Sequence, residues 1–158
     1  MIGAGGLGQF AVQYLRILSD ASVTVADISP EKRERSLELG AEEAVRPDEV
    51  EAPFDAVLDF VGAQDTLELG TRVVDRKAML AVVGLFAGRI PFGLGAVPHE
   101  AHFMSSIWGS LAELGELIAL AQREPLEYTI ETMPLADAQA AHERVRLGEA
   151  KGRIVLIP

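Results

Sequence analysis

Apolar residues recur along this chain in two rhythms, and the alternation between them predicts the fold. Over residues 6–18 the apolar positions Leu7, Phe10, Ala11, Tyr14, Leu15 and Leu18 follow helical spacing. Residues 22–27 (Ser-Val-Thr-Val-Ala-Asp) are short, β-branched and apolar, as in a strand buried on both faces of a parallel sheet. Ser29-Pro30-Glu31 then opens a second helix, with serine as N-cap and proline at the first helical position, and Gly40 closes it. Further strands are predicted over 43–45, 54–61, 77–83 and 102–108, with helices over 65–74 and 110–122. A loop rich in Gly and Pro, from Phe86 to about Glu100, is long enough to suggest function or mobility. The tail reads as strand 127–132, helix 136–147 and strand 153–157. Strands alternating with helices predict an α/β fold, a doubly wound and largely parallel sheet.

The chemistry starts at Gly3-Ala4-Gly5-Gly6-Leu7-Gly8, a glycine-rich turn feeding the first helix with the spacing of a dinucleotide-binding fingerprint. Gly3 would allow the turn, Gly5 would admit a pyrophosphate close to the backbone, and Gly8 would let the helix pack on the sheet. The helix N-terminus would then face the phosphates. Asp27 ends the second strand 19 positions after Gly8, where a carboxylate would accept from the adenosine ribose and repel a 2′-phosphate. Lys32 is placed to reach the adenosine end. The expected fold is therefore Rossmann-like. Only Met1 and Ile2 precede the turn, so its first strand is expected to be truncated, with core residues and strand pairing lost.

Composition narrows the function classes. The 158 residues are 49% hydrophobic and 24% charged, the balance of a globular domain with a real core. A formal charge of −10 argues against general affinity for nucleic acid or anionic membrane. No apolar run approaches the roughly 20 residues that span a bilayer, and no secretory signal is visible, so a cytoplasmic location is expected. The chain has no cysteine, which excludes disulfides and thiolate metal ligands. His99 and His102 flank Glu100 without a third positioned ligand, His142 reads as a surface residue, and Ser105-Ser106 lacks a nucleophile elbow. No metal site and no catalytic residue are expected. Asp55 and Asp59 share one strand face at about 13 Å, too far for a carboxylate pair, and Asp59 is assigned to the architecture of the cleft.

Taken with Val25-Ala26-Asp27, Leu39-Gly40-Ala41, Asp59-Phe60-Val61-Gly62-Ala63, Val82-Val83-Gly84, Trp108-Gly109-Ser110 and the ending Lys151-Gly152-Arg153-Ile154-Val155-Leu156-Ile157-Pro158, the glycine turn carries a resemblance. The chain resembles the cofactor-binding half of the zinc-type medium-chain alcohol dehydrogenases, especially the bacterial secondary-alcohol branch. The resemblance implies NAD as cofactor, with Gly3, Gly5, Gly6, Leu7, Gly8, Asp27 and Lys32 around its adenosine and phosphates. It further implies Val61, Val83, Gly84 and Leu85 at the nicotinamide, Arg153 at the pyrophosphate and Trp108 as a wall of the alcohol pocket. Residues 1–126 would form the nucleotide domain, and residues 127–158 a segment that in the family returns to the catalytic domain. Zinc in the intact family is held by that other domain, so this chain alone is expected to lack turnover. A homodimer through the edge strand 102–108 is implied as well. Two other readings stand beside this one: a stand-alone dinucleotide-binding sensor or subunit, and an interaction scaffold with a vestigial site.

Overall fold

In the computed structural model, which describes residues 1–51 and 53–158, strands and helices alternate as the pattern predicts. They are α1 (Gly8–Leu18), β1 (Thr24–Ala26), α2 (Pro30–Glu38), β2 (Glu43–Val45), β3 (Phe54–Asp59), α3 (Gln64–Val73), β4 (Val74–Val82), β5 (His102–Ser105), α4 (Leu111–Arg123), β6 (Ile130–Pro134), α5 (Ala138–Arg146) and β7 (Arg153–Ile157). All the strand pairs are parallel. Strands β1 and β2 pair with each other, and β3, β4 and β5 form a second group.

Ile2 joins the two groups. It bridges in parallel to Ala26 on one side and to Asp59 on the other. The Ile2 N–H donates to Leu58 O at 2.8 Å and the Phe60 N–H to Ile2 O at 2.9 Å. On the far side Gly3 N donates to Ala26 O, and Ala26 N to Met1 O, each at 2.8 Å. Three residues thus complete the doubly wound order β2–β1–Ile2–β3–β4–β5. The pairing expected to be lost beside a short first strand is made at this level by Met1, Ile2 and Gly3.

The Met1 ammonium donates to Thr24 O at 2.7 Å, and burial lowers its pKa from 8.0 to about 6. Between those values the unfolded chain binds the extra proton and the folded chain does not. Stability of the 158-residue chain should therefore rise as pH climbs from about 6 to 8, and fall by up to about 2–3 kcal/mol on acidification through that window. Urea midpoints at pH 5.5 and 8.5 check this, and equal midpoints would refute it.

Two clusters form the core. Val12, Val23, Val25, Leu39 and Ala41 lie with Ala4 under α1 and α2. Ile2, Val57, Leu69, Val73, Val74, Ala78 and Leu80 lie between α3 and the sheet.

Several boundaries differ from the sequence expectation, each for a local reason. Helix α1 begins at Gly8 rather than at residue 6, and its buried face is Gly8, Gln9, Val12 and Gln13. The apolar stripe of Leu7, Phe10 and Tyr14 instead lines an open cleft, with Leu7 and Leu18 exposed. Strand β3 stops at Asp59 because the Val61 and Gly62 N–H groups turn back onto the Asp59 carboxylate, at 2.8 and 3.0 Å. Strand β4 follows α3 directly at Val74, earlier than expected. Strand β5 ends at Ser105, and Trp108 takes a left-handed φ of 63°. In the tail, β6 begins at Ile130 rather than 127, because side chains of α1 engage the backbone of Glu127 and Thr129.

Candidate functional site: a cleft around the glycine turn

The turn sits at the carboxyl end of the sheet, where the strand order reverses and open α/β sheets bind ligands. Gly3 holds a φ of +87°, and the ideal Cβ position of Gly5 meets nothing within 4 Å, so the turn is open to a ligand there. Gly8 is the buried first residue of α1. At Gly6 a Cβ would lie 2.8 Å from Arg153 Cδ, so Arg153 crosses the turn at a distance only glycine allows.

Asp27 ends β1 with 6% of its surface exposed. Its Oδ2 accepts from Ala4 N and its Oδ1 from Ser29 N, both at 2.8 Å. One carboxylate therefore ties the glycine turn to the start of α2. Each oxygen retains acceptor capacity beyond these bonds. Helix α2 starts as predicted, with Ser29 Oγ accepting from Lys32 N and Pro30 in the first turn. Ala4, Gly5, Ser29, Lys32, Arg35 and residues 148–152 line a cleft of about 430 Å³.

A second, apolar cleft of about 950 Å³ opens on the other side of Gly6 and Arg153. Leu7, Phe10 and Tyr14 of α1 line it, with Phe60, Val83, Leu117 and Ile118. The Phe10 and Tyr14 rings stack at 6.3 Å, and burial pushes the Tyr14 phenol up from 10.0. Val83 and Gly84 donate from backbone N to Asp59 O at 2.8 and 3.1 Å, which sets the ends of β3 and β4 side by side. Asp59 is fully buried, and Thr66 Oγ1 donates to its Oδ2 at 2.9 Å. Its role is to shape the strand end.

The structure brings together Gly3, Gly5, Gly6, Leu7, Gly8, Asp27, Lys32 and Arg153 around the turn, with Val61 and Val83 at the neighbouring strand ends. Leu85 lies beyond them and is exposed. Trp108 is 90% exposed and lines neither cleft. The sequence reading missed Gln9 and Gln13, which are buried and polar. The available signal was two carboxamides four apart on the helix that leaves the turn. Glu131 anchors the loop before Arg153: its carboxylate accepts from Lys151 N and from Arg144, each at 2.6 Å, and those bonds hold it below the usual range.

Among the described residues no three His, Cys, Asp or Glu side chains converge, and the chain has no cysteine. These residues do not fit a zinc centre. Among them, too, no helix is long and apolar enough to cross a membrane.

A doubly wound sheet with a glycine turn at its switch point, an acid at the next strand end and an arginine over the turn defines the class of nucleotide-binding α/β domains. A family model described as zinc-binding dehydrogenase matches residues 6–123, and the chain belongs to that family, corresponding to its NAD-binding half. An alcohol dehydrogenase of Geobacillus stearothermophilus is 31% identical over 98% of this chain and 48% of its own length. An NAD-dependent alcohol dehydrogenase of Sulfolobus acidocaldarius is 28% identical over 99% of this chain and 49% of its own. Among solved structures, the alcohol dehydrogenase of Aeropyrum pernix superimposes with a TM-score of 0.90 at 30% identity, over 99% of this chain and 48% of that one. The acetophenone reductase of Geotrichum candidum in complex with NAD gives 0.88 at 27% identity, over 99% and 47%. The chain spans about half the length of the curated relatives it matches.

Proposed function

We propose that this chain holds NAD across the glycine turn, as the cofactor-binding half of an alcohol dehydrogenase that transfers hydride reversibly between a secondary alcohol and NAD. The observation that carries the reading is an open glycine turn tied down by Asp27 at Ala4 and crossed by Arg153 at Gly6. The Gly5–Gly6 backbone, the α1 N-terminus and Arg153 would take the pyrophosphate, and Asp27 and Lys32 the adenosine ribose. Val61, Val83, Gly84 and Leu85 would border the nicotinamide. When bound, NAD supplies a ring carbon that accepts or returns hydride. The cofactor choice rests on Asp27, because relatives include a D-arabinose 1-dehydrogenase of Saccharolobus solfataricus named for NADP(+), 26% identical. A buried carboxylate at the 2′-position opposes a second phosphate.

Fluorescence titration of the 158-residue chain tests this. NADH should bind saturably, and NADPH at least about tenfold more weakly, the worth of one unfavourable charge contact. No NADH binding at millimolar concentration, or equal affinity for the two, would overturn the reading. The first outcome favours the scaffold alternative.

A further inference from the structure

We infer that Gln13, with Gln9, is a positioning residue that sets Arg153 over the glycine turn and so tunes the grip on the cofactor's phosphates; the inference rests on the NAD reading above. Gln13 lies on the buried face of α1, only 3% exposed, and its carboxamide pairs reciprocally with the backbone of Glu127. Its Nε2 donates to Glu127 O at 2.7 Å, and its Oε1 accepts from Glu127 N at 2.7 Å. The same Nε2 donates to Gln9 O at 2.9 Å. One turn earlier, Gln9 Oε1 accepts from Thr129 N at 3.4 Å. A primary amide offers a donor and an acceptor side by side, as a peptide group does. The helix therefore receives the 127–129 segment as a neighbouring strand would.

From that segment the contacts lead directly to the arginine. Arg153 N donates to Thr129 O at 3.0 Å. Gly152, at a φ of +75°, packs so closely that a Cβ would lie 2.2 Å from the same Thr129 oxygen. Arg153 then crosses Gly6, itself two residues before the start of α1. Helix, segment, arginine and turn close a ring, and the glutamines are its joint between α1 and the tail. Removing the joint frees 127–129 to shift, and Arg153 shifts with it. The helix core does not depend on this joint, because Val12 and its neighbours pack on the sheet independently.

The test is a double-substitution cycle on the 158-residue chain, with NADH, ADP-ribose and adenosine as probes. Gln13→Ala should weaken NADH and ADP-ribose about tenfold, the loss of one charge-assisted contact, and leave adenosine, which has no phosphate, unchanged. Arg153→Ala should do the same, and the double variant should lose little more than Arg153→Ala alone. Gln13→Glu keeps the acceptor for Glu127 N but sets a buried carboxylate oxygen against Glu127 O and Gln9 O, so it should weaken NADH at least as much as Gln13→Ala. If Gln13→Ala does not fold by circular dichroism, Gln9→Ala, which frees the Thr129 N–H and the Gly6 O that Gln9 Nε2 reaches at 3.4 Å, takes its place in the cycle with Arg153→Ala. Losses that simply add, or an unchanged NADH affinity in a folded Gln13→Ala chain, overturn this inference alone. A wild-type chain that binds no NADH overturns the cofactor reading and this inference with it.

Discussion

Gly84→Ala should destabilise the chain by about 3 kcal/mol and abolish cofactor binding. At Gly84 a Cβ would lie 2.0 Å from Val61 C and 2.1 Å from Val61 O. These are backbone atoms, so no side chain can rotate away to make room. The opposing residue is as constrained: Gly62 has a φ of +72°, and its Cβ would lie 2.3 Å from Gly84 O. The carboxyl ends of β3 and β4 are thus in mutual backbone contact beside Val61 and Val83. An added methyl must pry them apart, which also breaks the bonds from Val83 and Gly84 to Asp59 O. A native domain has only about 5–15 kcal/mol in hand. Gly115→Ala is the contrast, since nothing lies within 4 Å of that position on the exposed face of α4. It should be neutral or stabilise by about 0.5–1 kcal/mol, as alanine is the better helix former. Urea unfolding followed by circular dichroism measures both. A Gly84→Ala chain within about 1 kcal/mol of wild type would contradict the packing described for these strand ends.

Asp27→Ala should cost about 2–4 kcal/mol of stability and at least about tenfold in NADH affinity. The stability loss comes from two backbone donors, Ala4 N and Ser29 N, left facing a buried site. Asp27→Asn should recover little of it. Turning either end of an amide toward these donors sets one N–H against another, and only a carboxylate offers two acceptor ends at this length. On the proposed reading the affinity loss would have two sources: the ribose partner is gone, and the turn that Asp27 anchors through Ala4 N is released. NADPH affinity should fall less than NADH affinity if, as proposed, the lost carboxylate opposes the 2′-phosphate. Calorimetric melting and paired titrations separate the parts. Equal losses for the two nucleotides would show that Asp27 acts on the turn alone.

Local chemistry carried most of what was legible in the chain. Ser29-Pro30 marked the start of α2 because a hydroxyl cap and a fixed φ act within four residues. Strand β7 matched its expected bounds because Ile154, Val155, Leu156 and Ile157 run between glycine and proline. The glycine spacing and Asp27 were legible for the same reason. What stayed hidden was set by contacts distant in sequence. Gln9 and Gln13 lie off the apolar positions of α1, yet they face inward, because their partners lie 114 to 120 positions away. The start of β6 moved for the same cause. Leu7, Phe10 and Tyr14 have the right periodicity for a core face, but periodicity does not say which apolar surface finds a neighbour. Nor could spacing show that Trp108 would turn outward at a positive φ.

Among the described residues Ile2 bridges the sheet's two strand groups, and each group has a hydrophobic cluster of its own. The turn that leaves this seam is also where a dinucleotide would lie, touching β1 through Asp27 and the ends of β3 and β4 through Val61 and Val83. Bound there as proposed, the ligand would make its occupancy and the cohesion of the two halves linked quantities. A molecule that spans the seam contributes its binding free energy to holding the halves in register, and the contribution grows with the logarithm of its concentration. In such an arrangement the nucleotide would serve as an internal strut, and cooperativity between the halves would be a property of the liganded state.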